Sequence, residues 1–336
     1  MTEKIKKVYQ LLEENPGMIV ITAHKNPDGD AVGSTLGLFH YLKSEGKNVC
    51  VVLPDSFPDF LAWMPGADEI ILYDKNKKEA DMLFSSATII FCLDYNRTDR
   101  TGDMENSIVS SPAKKILIDH HPHPEGNFDV LYSDTSSCAT SEMIYRLISV
   151  NGKENKINAG CAACLYAGIM TDSGNFRFPN TTAETHKAVA ALLEKGARHD
   201  EIYTHVFETS TEDRLRLLGY AISNKMTVLK DLKTAYFVLT KDELNRYNYQ
   251  KGDTEGMVNY GLTIKGIVAS AIFVEQDGII KISFRSKGKV AVNELSSAHF
   301  NGGGHVNAAG GRSNDSLEET LNRFLQVLPL FMKKYV

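Results

Sequence analysis

The sequence lacks the features that mark several large classes of protein. None of its hydrophobic runs reaches the length of a membrane span, and the start Met-Thr-Glu-Lys-Ile-Lys-Lys predicts a short amphipathic helix rather than a signal peptide. Lys and Arg form no block, and the formal net charge is -5. We therefore expect no membrane contact and no binding of duplex nucleic acid.

Cysteine is scarce and scattered. The five cysteines stand at positions 50, 92, 138, 161 and 164, without the spacing of a disulfide framework. Cys161 and Cys164 form a Cys-x-x-Cys pair, but they lie in an apolar helical run without a second pair. We interpret them as core residues, not as a zinc or redox site. This usage suits a reducing compartment, and we expect the protein to be cytoplasmic.

Length and composition predict a two-domain globular protein. The 336 residues exceed one typical domain, and 43% hydrophobic with 24% charged residues is ordinary for a folded chain. We predict a first domain over residues 1–197, a helical connector over 198–225 and a second domain over 226–336. The sequence pattern changes near residue 226, where short predicted strands become frequent, and this change sets the last boundary.

Several predicted strands of the first half are apolar throughout, including residues 88–93 and 115–118. Such strands are typical of a parallel sheet that helices cover on both faces. We predict an α/β protein, with a parallel-sheet N-terminal domain that carries helices on both faces. We expect a smaller α/β C-terminal domain with a mixed sheet, and an active-site cleft between the two domains.

Acidic and histidine residues follow these predicted strands. Singly, each Asp would be a helix cap or turn residue, and each His a core or surface residue. Ligand sites of open α/β sheets lie at the carboxyl ends of the strands, so these residues are expected to meet at one edge. Carboxylates gathered in one place repel one another unless positive charge lies among them. The set is His24, Asp28, Asp30, Asp94, Asp119, His120, His121 and Asp172.

This donor set predicts a metal centre. Mixed Asp and His ligation without thiolate favours a hard or borderline divalent ion; manganese fits best, while iron, cobalt, zinc and magnesium stay open. Six ligands are too many for one catalytic ion that must keep open positions. Two ions that share a carboxylate fit better, since such pairs lie ~3.5–4 Å apart and activate water for in-line displacement. Asp94, which ends a central strand, is the expected bridge.

A second candidate site lies in the C-terminal domain. The turn Gly302-Gly303-Gly304-His305 can bring backbone N–H groups close to an anion, and its histidine adds a donor. Arg285 and Ser286 end a predicted strand, and the Arg fork suits phosphate. Taken alone, the glycines indicate only a tight turn. After a predicted metal domain, we interpret the segment as a phosphate clamp.

Together these motifs resemble the DHH phosphoesterase superfamily. The matching segments are His24-x-Asn26-Pro27-Asp28-Gly29-Asp30-Ala31-x-Gly33-Ser34, Asp94 with Arg100, Asp119-His120-His121, Asp172, and, as in the DHH-associated C-terminal domain, Gly302-Gly303-Gly304-His305 and Ala308-Ala309-Gly310-Gly311. They occur in the right order over nearly the whole chain. A chance match of all of them is hard to credit.

The resemblance implies a role for each residue. His24 and Asp28 would bind one manganese ion, Asp30, His120 and Asp172 the other, and Asp94 both. Asp119 and Asn26 would support these ligands without binding metal. His121 would face the substrate phosphate and act in catalysis with Asp94. The remaining substrate-binding residues would be Arg100, Arg285, Ser286, Gly302, Gly303, Gly304 and His305.

Among branches of the superfamily, the chain resembles the oligoribonucleases that also act on 3′-phosphoadenosine-5′-phosphate (pAp). This implies hydrolysis of short single-stranded RNA and pApA-like dinucleotides to mononucleotides, together with conversion of pAp to AMP. A single-strand exonuclease and an exopolyphosphatase of the same superfamily are alternatives. A non-catalytic nucleotide sensor would lack a ligand such as Asp30, Asp94 or Asp172, and none is missing. The sequence leaves a homodimer open.

Overall fold

The computed structural model describes residues 2–276 and 278–335. The chain forms two compact units, Met1–Thr209 and Ser210–Val336. Each unit has its own six-stranded sheet and its own hydrophobic core. Among the helices of the described ranges, none is both long enough and apolar enough to cross a membrane.

The first unit is a parallel sheet. Its strands are β1 (Met18–Thr22), β2 (Asn48–Leu53), β3 (Ile71–Leu72), β4 (Ala87–Leu93), β5 (Lys114–Asp119) and β6 (Val130–Ser133), in the spatial order β3-β2-β1-β4-β5-β6. Its helices are α1 (Thr2–Glu14), α2 (Gly29–Ser44), α3 (Lys77–Ser86), α4 (Glu105–Ser110), α5 (Thr140–Val150), α6 (Ala159–Asp172), α7 (Ala183–Glu194) and α8 (His199–Phe207). The strand order reverses between β1 and β4, and crevices form at such points.

The central strands are apolar because both faces of the sheet are covered. Along β4, Ile89 and Phe91 belong to one buried cluster, whereas Ile90 and Cys92 belong to another. Side chains alternate between the faces of a strand, so both sets must be apolar. This confirms the predicted parallel sheet with helices on either side.

Close packing of α2 on α6 fixes the start of α2. A Cβ atom on Gly33 would lie 2.6 Å from the carbonyl oxygen of Cys164, so only glycine fits there. Cys161 and Cys164 are buried free thiols in this contact region. Their interpretation as core residues agrees with this packing.

The second unit is a smaller α/β unit with a mixed sheet, as predicted. Its strands are β7 (Met226–Leu229), β8 (Thr234–Leu239), β9 (Ala269–Gln276), β10 (Ile279–Ser286), β11 (Gly303–His305) and β12 (Ala308–Ser313), in the order β11-β12-β10-β9-β8-β7. Its helices are α9 (Glu212–Tyr220), α10 (Lys241–Arg246), α11 (Met257–Gly261), α12 (Val292–His299) and α13 (Leu317–Met332). β8 and β9 pair in parallel, and the other neighbours are antiparallel.

The turn predicted for the glycine run is wrong. Gly303–His305 is the edge strand β11, which pairs with β12, and β12 pairs in turn with β10. Glycine has low strand propensity, so the sequence gives no local signal for either strand. Their pairing with a regular strand supplies the backbone hydrogen bonds that local propensity does not.

Candidate metal centre

The predicted residues of the first unit meet at the carboxyl edge of its sheet. His24 follows β1, Asp94 follows β4, and His120 follows β5. Asp28 and Asp30 lie at the start of α2, and Asp172 is the last residue of α6. These side chains form two groups, and Asp94 contacts a histidine of each.

The first group consists of His24, Asp28 and Asp94. His24 Nε2 lies 3.4 Å from Asp94 Oδ2 and 3.9 Å from Asp28 Oδ2. His24 Nδ1 lies 2.9 Å from the carbonyl oxygen of Lys25. Because a carbonyl only accepts, Nδ1 carries the proton of this bond and Nε2 faces the two carboxylates. Metal-binding histidines are commonly oriented in this way.

The second group consists of Asp30, His120 and Asp172. His120 Nε2 lies 3.4 Å from Asp172 Oδ2, 3.5 Å from Asp94 Oδ1 and 4.0 Å from Asp30 Oδ2. Its Nδ1 lies 3.2 Å from the carbonyl oxygen of Ser137, so it too presents Nε2 to carboxylates. The two oxygens of Asp94 therefore face different histidines.

The spacing and the donor types suit two divalent ions. Ligand atoms ~2.1 Å from one ion lie roughly 3–4.2 Å apart, and the His–Asp separations of 3.4–4.0 Å fall within that range. Asp94 itself has a φ of 61°. Such left-handed backbone is uncommon outside glycine and is typical of functional sites.

The electrostatics of the site call for added positive charge. Burial, followed by the charges of Asp94 and Asp172, holds the pKa of Asp30 well above its usual range. Burial opposes protonation of His24, but the hydrogen bond to Asp94 and the charge of Asp28 prevail and raise the pKa of His24 to about 9. Burial likewise opposes protonation of His120. The hydrogen bond to Asp94 outweighs burial and raises the pKa of His120 well above its usual range.

The carboxylate of Asp94 is stabilised in its ionised form by the two histidines. Burial disfavours its charge, but contacts with His120 and His24 outweigh burial and hold its pKa well below the usual range. One ionised carboxylate thus lies between two imidazoles that favour protonation. Divalent cations placed against the same Nε2 and carboxylate atoms would replace those protons, so the donor set fits metal ions.

The predicted supporting residues Asp119 and Asn26 and the predicted substrate-binding residue Arg100 belong to the same unit. Asp119 is fully buried, and its Oδ1 lies 2.8 Å from His121 Nδ1, so the carboxylate fixes the imidazole and leaves His121 Nε2 to other partners. Arg100 is half-buried; its carbonyl accepts the N–H of Lys25, and its charge opposes protonation of His24. Asn26 is exposed with a φ of 53°, a conformation that Asn tolerates, and Asp55 Oδ1 accepts its backbone N–H at 2.7 Å.

Sequence reasoning missed the residues at the start of α5. The backbone N–H groups of Thr140 and Ser141 donate to Asp30 at 2.6 and 2.8 Å, and the Thr140 hydroxyl donates to Asp94 Oδ1 at 3.0 Å. The only sequence signal is a run of small polar residues before an apolar helix, which is typical of any helix start.

The second unit places its predicted residues around β10, β11 and β12. Arg285 Nη1 donates to the carbonyl of Phe284 at 2.9 Å. Ser286 is buried, and its hydroxyl donates to the Val290 carbonyl at 2.6 Å while it accepts from Asn307. The Ser286 hydroxyl therefore holds the chain after β10.

The three glycines of the clamp segment differ in their surroundings. A Cβ on Gly302 would lie 1.9 Å from the Gly310 carbonyl oxygen, and one on Gly304 would lie 2.5 Å from that of Ala308. A Cβ on Gly303 would have no atom of the described residues within 4 Å, its chain neighbours aside. Packing thus requires glycine at the outer two positions, and Gly303 faces open space. His305 follows at the end of β11 and is half-buried.

The fold and the site define a class of two-unit α/β proteins that gather Asp and His at the carboxyl edge of a parallel sheet. The chain belongs to the DHH family. The model of the DHH family N-terminal domain matches residues 18–169, and the model of the DHHA1 domain matches residues 232–334. The family that the motifs resembled is thereby confirmed.

Curated relatives match the chain over nearly its full length. The bifunctional oligoribonuclease and PAP phosphatase NrnA of Bacillus subtilis is 33% identical over 87% of this chain and 88% of its own length. The protein of the same name from Thermus thermophilus is 31% identical over 97% of this chain and 94% of its own.

One solved structure is closer in sequence than either of these relatives. A protein from Bacteroides fragilis, described as exopolyphosphatase-related, is 42% identical, with a TM-score of 0.95 over 99% of this chain and 98% of its own. The two proteins therefore have the same fold.

Proposed function

We propose that the protein is a manganese-dependent phosphoesterase that hydrolyses short oligoribonucleotides and pApA-like dinucleotides to mononucleotides and converts pAp to AMP. The observation that carries this proposal is the pair of His–Asp groups whose histidines both contact Asp94. The named activities of the relatives from Bacillus subtilis and Thermus thermophilus supply the substrate class.

Six residues would hold the ions: His24, Asp28, Asp30, Asp94, His120 and Asp172. Bound there, two divalent ions would supply Lewis-acid charge that activates water and offsets charge on the phosphate oxygens. His24 and His120 each donate Nδ1–H to a carbonyl and keep Nε2 toward the centre. Asp119 accepts from His121 Nδ1, which would leave His121 Nε2 to contact a phosphate oxygen of the substrate. Arg100 adds positive charge near His24.

The second unit would bind the rest of the nucleotide. Arg285 offers a guanidinium fork, which matches phosphate geometry. Gly303 has open space beside its backbone, so an anion can approach it closely. His305 adds a ring donor beside it, and Ser286 keeps the end of β10 in place. We also propose that residues 198–225 connect the two functional domains.

Manganese is proposed because of the donor chemistry. Four carboxylates, two imidazoles and no thiolate form a hard-to-borderline set, which suits Mn²⁺ better than a softer ion.

All five cysteines are free thiols, and the cytoplasm is the compartment we propose. Short single-stranded RNA and small nucleotides are the proposed partners. Duplex nucleic acid is excluded from the proposal because the chain has a net charge of -5 and no basic block.

A single assay tests the proposal. Metal-stripped protein is supplied with Mn²⁺ and given 5′-labelled RNA of two to about ten nucleotides, with pAp in parallel; Asp94→Ala is the inactive control. We expect mononucleotides from the shortest RNAs and AMP from pAp, with little turnover in the control. An absence of hydrolysis on both RNA and pAp would contradict the proposal.

Hydrolysis of polyphosphate is the second candidate. It is favoured by the description of the Bacteroides fragilis protein as exopolyphosphatase-related. The same preparation is therefore assayed on pyrophosphate and long-chain polyphosphate. Release of phosphate from polyphosphate at a higher kcat/KM than from pApA would favour this candidate over the oligoribonuclease.

A further inference from the structure

A buried carboxylate lies behind the metal centre. Glu142, in the first turn of α5, is fully buried, and nothing in the catalytic proposal uses it. Its Oε1 accepts a hydrogen bond from Arg146, which also donates to Asp134 at 3.2 Å. A charge so deeply buried is costly unless it is paired and hydrogen-bonded. Its partners therefore indicate what it stabilises.

The other oxygen of Glu142 holds the segment at the start of α5, residues 137–141. Glu142 Oε2 accepts from the Cys138 backbone N–H at 3.2 Å and the Cys138 thiol at 3.1 Å. It also lies 3.3 Å from the Ser137 hydroxyl, which shares its proton with the Ala139 carbonyl at 3.0 Å. It also accepts from the Thr185 hydroxyl of α7 at 3.1 Å. Three of these four donors belong to the segment, so the carboxylate fixes its path.

The same segment contacts three of the proposed metal ligands. Thr140 and Ser141 donate backbone N–H bonds to the two oxygens of Asp30. The Thr140 hydroxyl donates to Asp94, and the carbonyl of Ser137 receives the Nδ1–H of His120. Neither His24 nor Asp28 has a described contact with it. The segment therefore supports the Asp30–His120–Asp172 group more than the other group.

We propose that Glu142 is a positioning residue for the Asp30–His120–Asp172 group. It acts through residues 137–141, which hold Asp30, Asp94 and His120 in the orientation that one divalent ion requires. This inference rests on the proposed metal function. Partners of metal ligands commonly change metal affinity 10–100-fold when they are substituted.

The position requires a carboxylate, and an amide cannot replace it. Glu142 Oε1 faces a guanidinium, and Oε2 faces N–H, S–H and O–H donors. In Glu142→Gln one of these oxygens becomes an NH₂ group, which can only donate. In either orientation of the amide, its NH₂ group faces a donor, either the Arg146 guanidinium or the Cys138 N–H. Residues 137–141 then lose hydrogen bonds to position 142, while the side-chain volume stays the same.

Thr185→Val provides the matched control. It removes the buried hydrogen bond from α7 to the same oxygen of Glu142, together with the part of the α7 capping box that Thr185 forms. Helix α7 contributes no proposed ligand. Both substitutions should lower the free energy of unfolding. Only Glu142→Gln should disturb residues 137–141. A role in stability alone predicts the same metal binding for the two variants.

The test is a Mn²⁺ titration of the metal-stripped full-length protein by calorimetry, without substrate. The titration is expected to show two classes of Mn²⁺ binding. The class that Asp172→Ala loses is assigned to the Asp30–His120–Asp172 group, and the class that Asp28→Ala loses is assigned to the His24–Asp28–Asp94 group. We expect Glu142→Gln to raise the Kd of the class lost in Asp172→Ala by about 10–100-fold. The other class should change much less, and Thr185→Val should resemble the wild type. Circular dichroism confirms that each variant is folded at the titration temperature.

The outcomes separate this inference from the proposed function. A wild-type protein that binds no divalent ion would overturn both. A wild-type protein that binds ions, with Glu142→Gln indistinguishable from it or from Thr185→Val, would overturn the inference alone. If Glu142→Gln does not fold, Arg146→Gln replaces it, since it removes the cation paired with Glu142. A Kd unchanged in Arg146→Gln would then overturn the inference.

Discussion

Asp28 makes two different contacts with its two carboxylate oxygens. Its Oδ1 accepts the backbone N–H groups of Asp30 and Ala31 at 3.0 and 3.1 Å and so caps α2, while its Oδ2 lies 3.9 Å from His24 Nε2. The helix cap that any Asp might form and the ligand that the family motif implies are thus the same side chain. The two roles can be separated, because only one of them needs a negative charge.

Asp28→Asn should keep the cap and lose the charge. Asn caps helices as well as Asp does, so the free energy of unfolding should stay within a few tenths of a kcal/mol of the wild type, whereas Asp28→Ala should lose about 1 kcal/mol. Both variants should weaken Mn²⁺ binding at the His24 group. Urea unfolding and a Mn²⁺ titration on each variant measure the two effects. Equal stability of Asp28→Ala and Asp28→Asn would contradict the capping role.

Asp94→Ala should abolish turnover. Both histidines contact its carboxylate, so its loss should weaken both ion sites and lower kcat by roughly 10³-fold or more, since a metal supplies several kcal/mol of transition-state stabilisation. Turnover and metal content are measured on the same preparation. Wild-type-like turnover at a confirmed low metal content would refute the bridging assignment.

Removal of metal from the wild type with EDTA should lower turnover as Asp94→Ala does, and added Mn²⁺ should restore the turnover of the wild type only.

Arg285→Ala should weaken substrate binding and leave the metal centre intact. Loss of a charge-assisted contact to phosphate costs about 1.5–3 kcal/mol, which corresponds to roughly a 10–100-fold rise in KM. Lys281→Ala is the matched control, since it removes a cation from an exposed position of the same strand. Steady-state kinetics on pApA and a Mn²⁺ titration test both parts. A fall in kcat at constant KM would argue against a binding role.

Two neighbouring glycines should respond differently to alanine. Gly302→Ala places a methyl group against the Gly310 carbonyl and should lower the free energy of unfolding by about 1–3 kcal/mol. Gly303→Ala meets no atom within 4 Å, so folding should be unchanged while KM for pApA rises. Thermal unfolding measures the stability of both variants, and steady-state kinetics measures their KM for pApA. An unchanged KM in Gly303→Ala would remove that position from the proposed clamp.

Glu243 should make the stability of the protein depend on pH. Burial opposes its charge, but bonds from Lys225 Nζ, the Thr240 N–H and the Tyr220 hydroxyl lower the pKa of Glu243 to about 2. A depressed carboxyl pKa stabilises the fold above the unfolded-state pKa near 4.5, and that stability disappears as pH falls toward 2.

The substitution Glu243→Gln tests this linkage. It should lower the free energy of unfolding at pH 7 by about 1–2 kcal/mol, since the group is partly exposed and its ion pair is screened. The difference from the wild type should shrink between pH 4.5 and 2. Asp242→Asn, a neighbouring exposed acid, is the control. Urea unfolding across this pH range is the measurement, and a constant difference would contradict the assignment.

The sequence predicts the parallel sheet well because its signals are local. The run that ends at Asp94 is apolar on both faces, and a strand so placed has few alternatives. Loops after such strands meet at one edge by topology alone, so the convergence of His24, Asp94 and His120 needs no knowledge of packing.

Other features depend on contacts that no local pattern records. The bonds from Thr140 to Asp30 and Asp94 exist only because α5 begins beside α2 and β4. The strands around Gly303 and Gly310 have poor intrinsic propensity and form because β10 offers a partner. Prediction fails here for the same reason in both cases, since distant pairing decides the conformation.

The distance in sequence between Asp30 and Thr140 has a consequence for biosynthesis. The two residues are 110 positions apart, and Asp172 follows later still. A growing chain can therefore complete neither the support of Asp30 nor the second group of ligands until almost the entire first unit has been translated. Metal binding would then occur late in folding. It would stabilise only the correctly folded first unit, because ion binding to the complete site adds directly to the stability of the folded state.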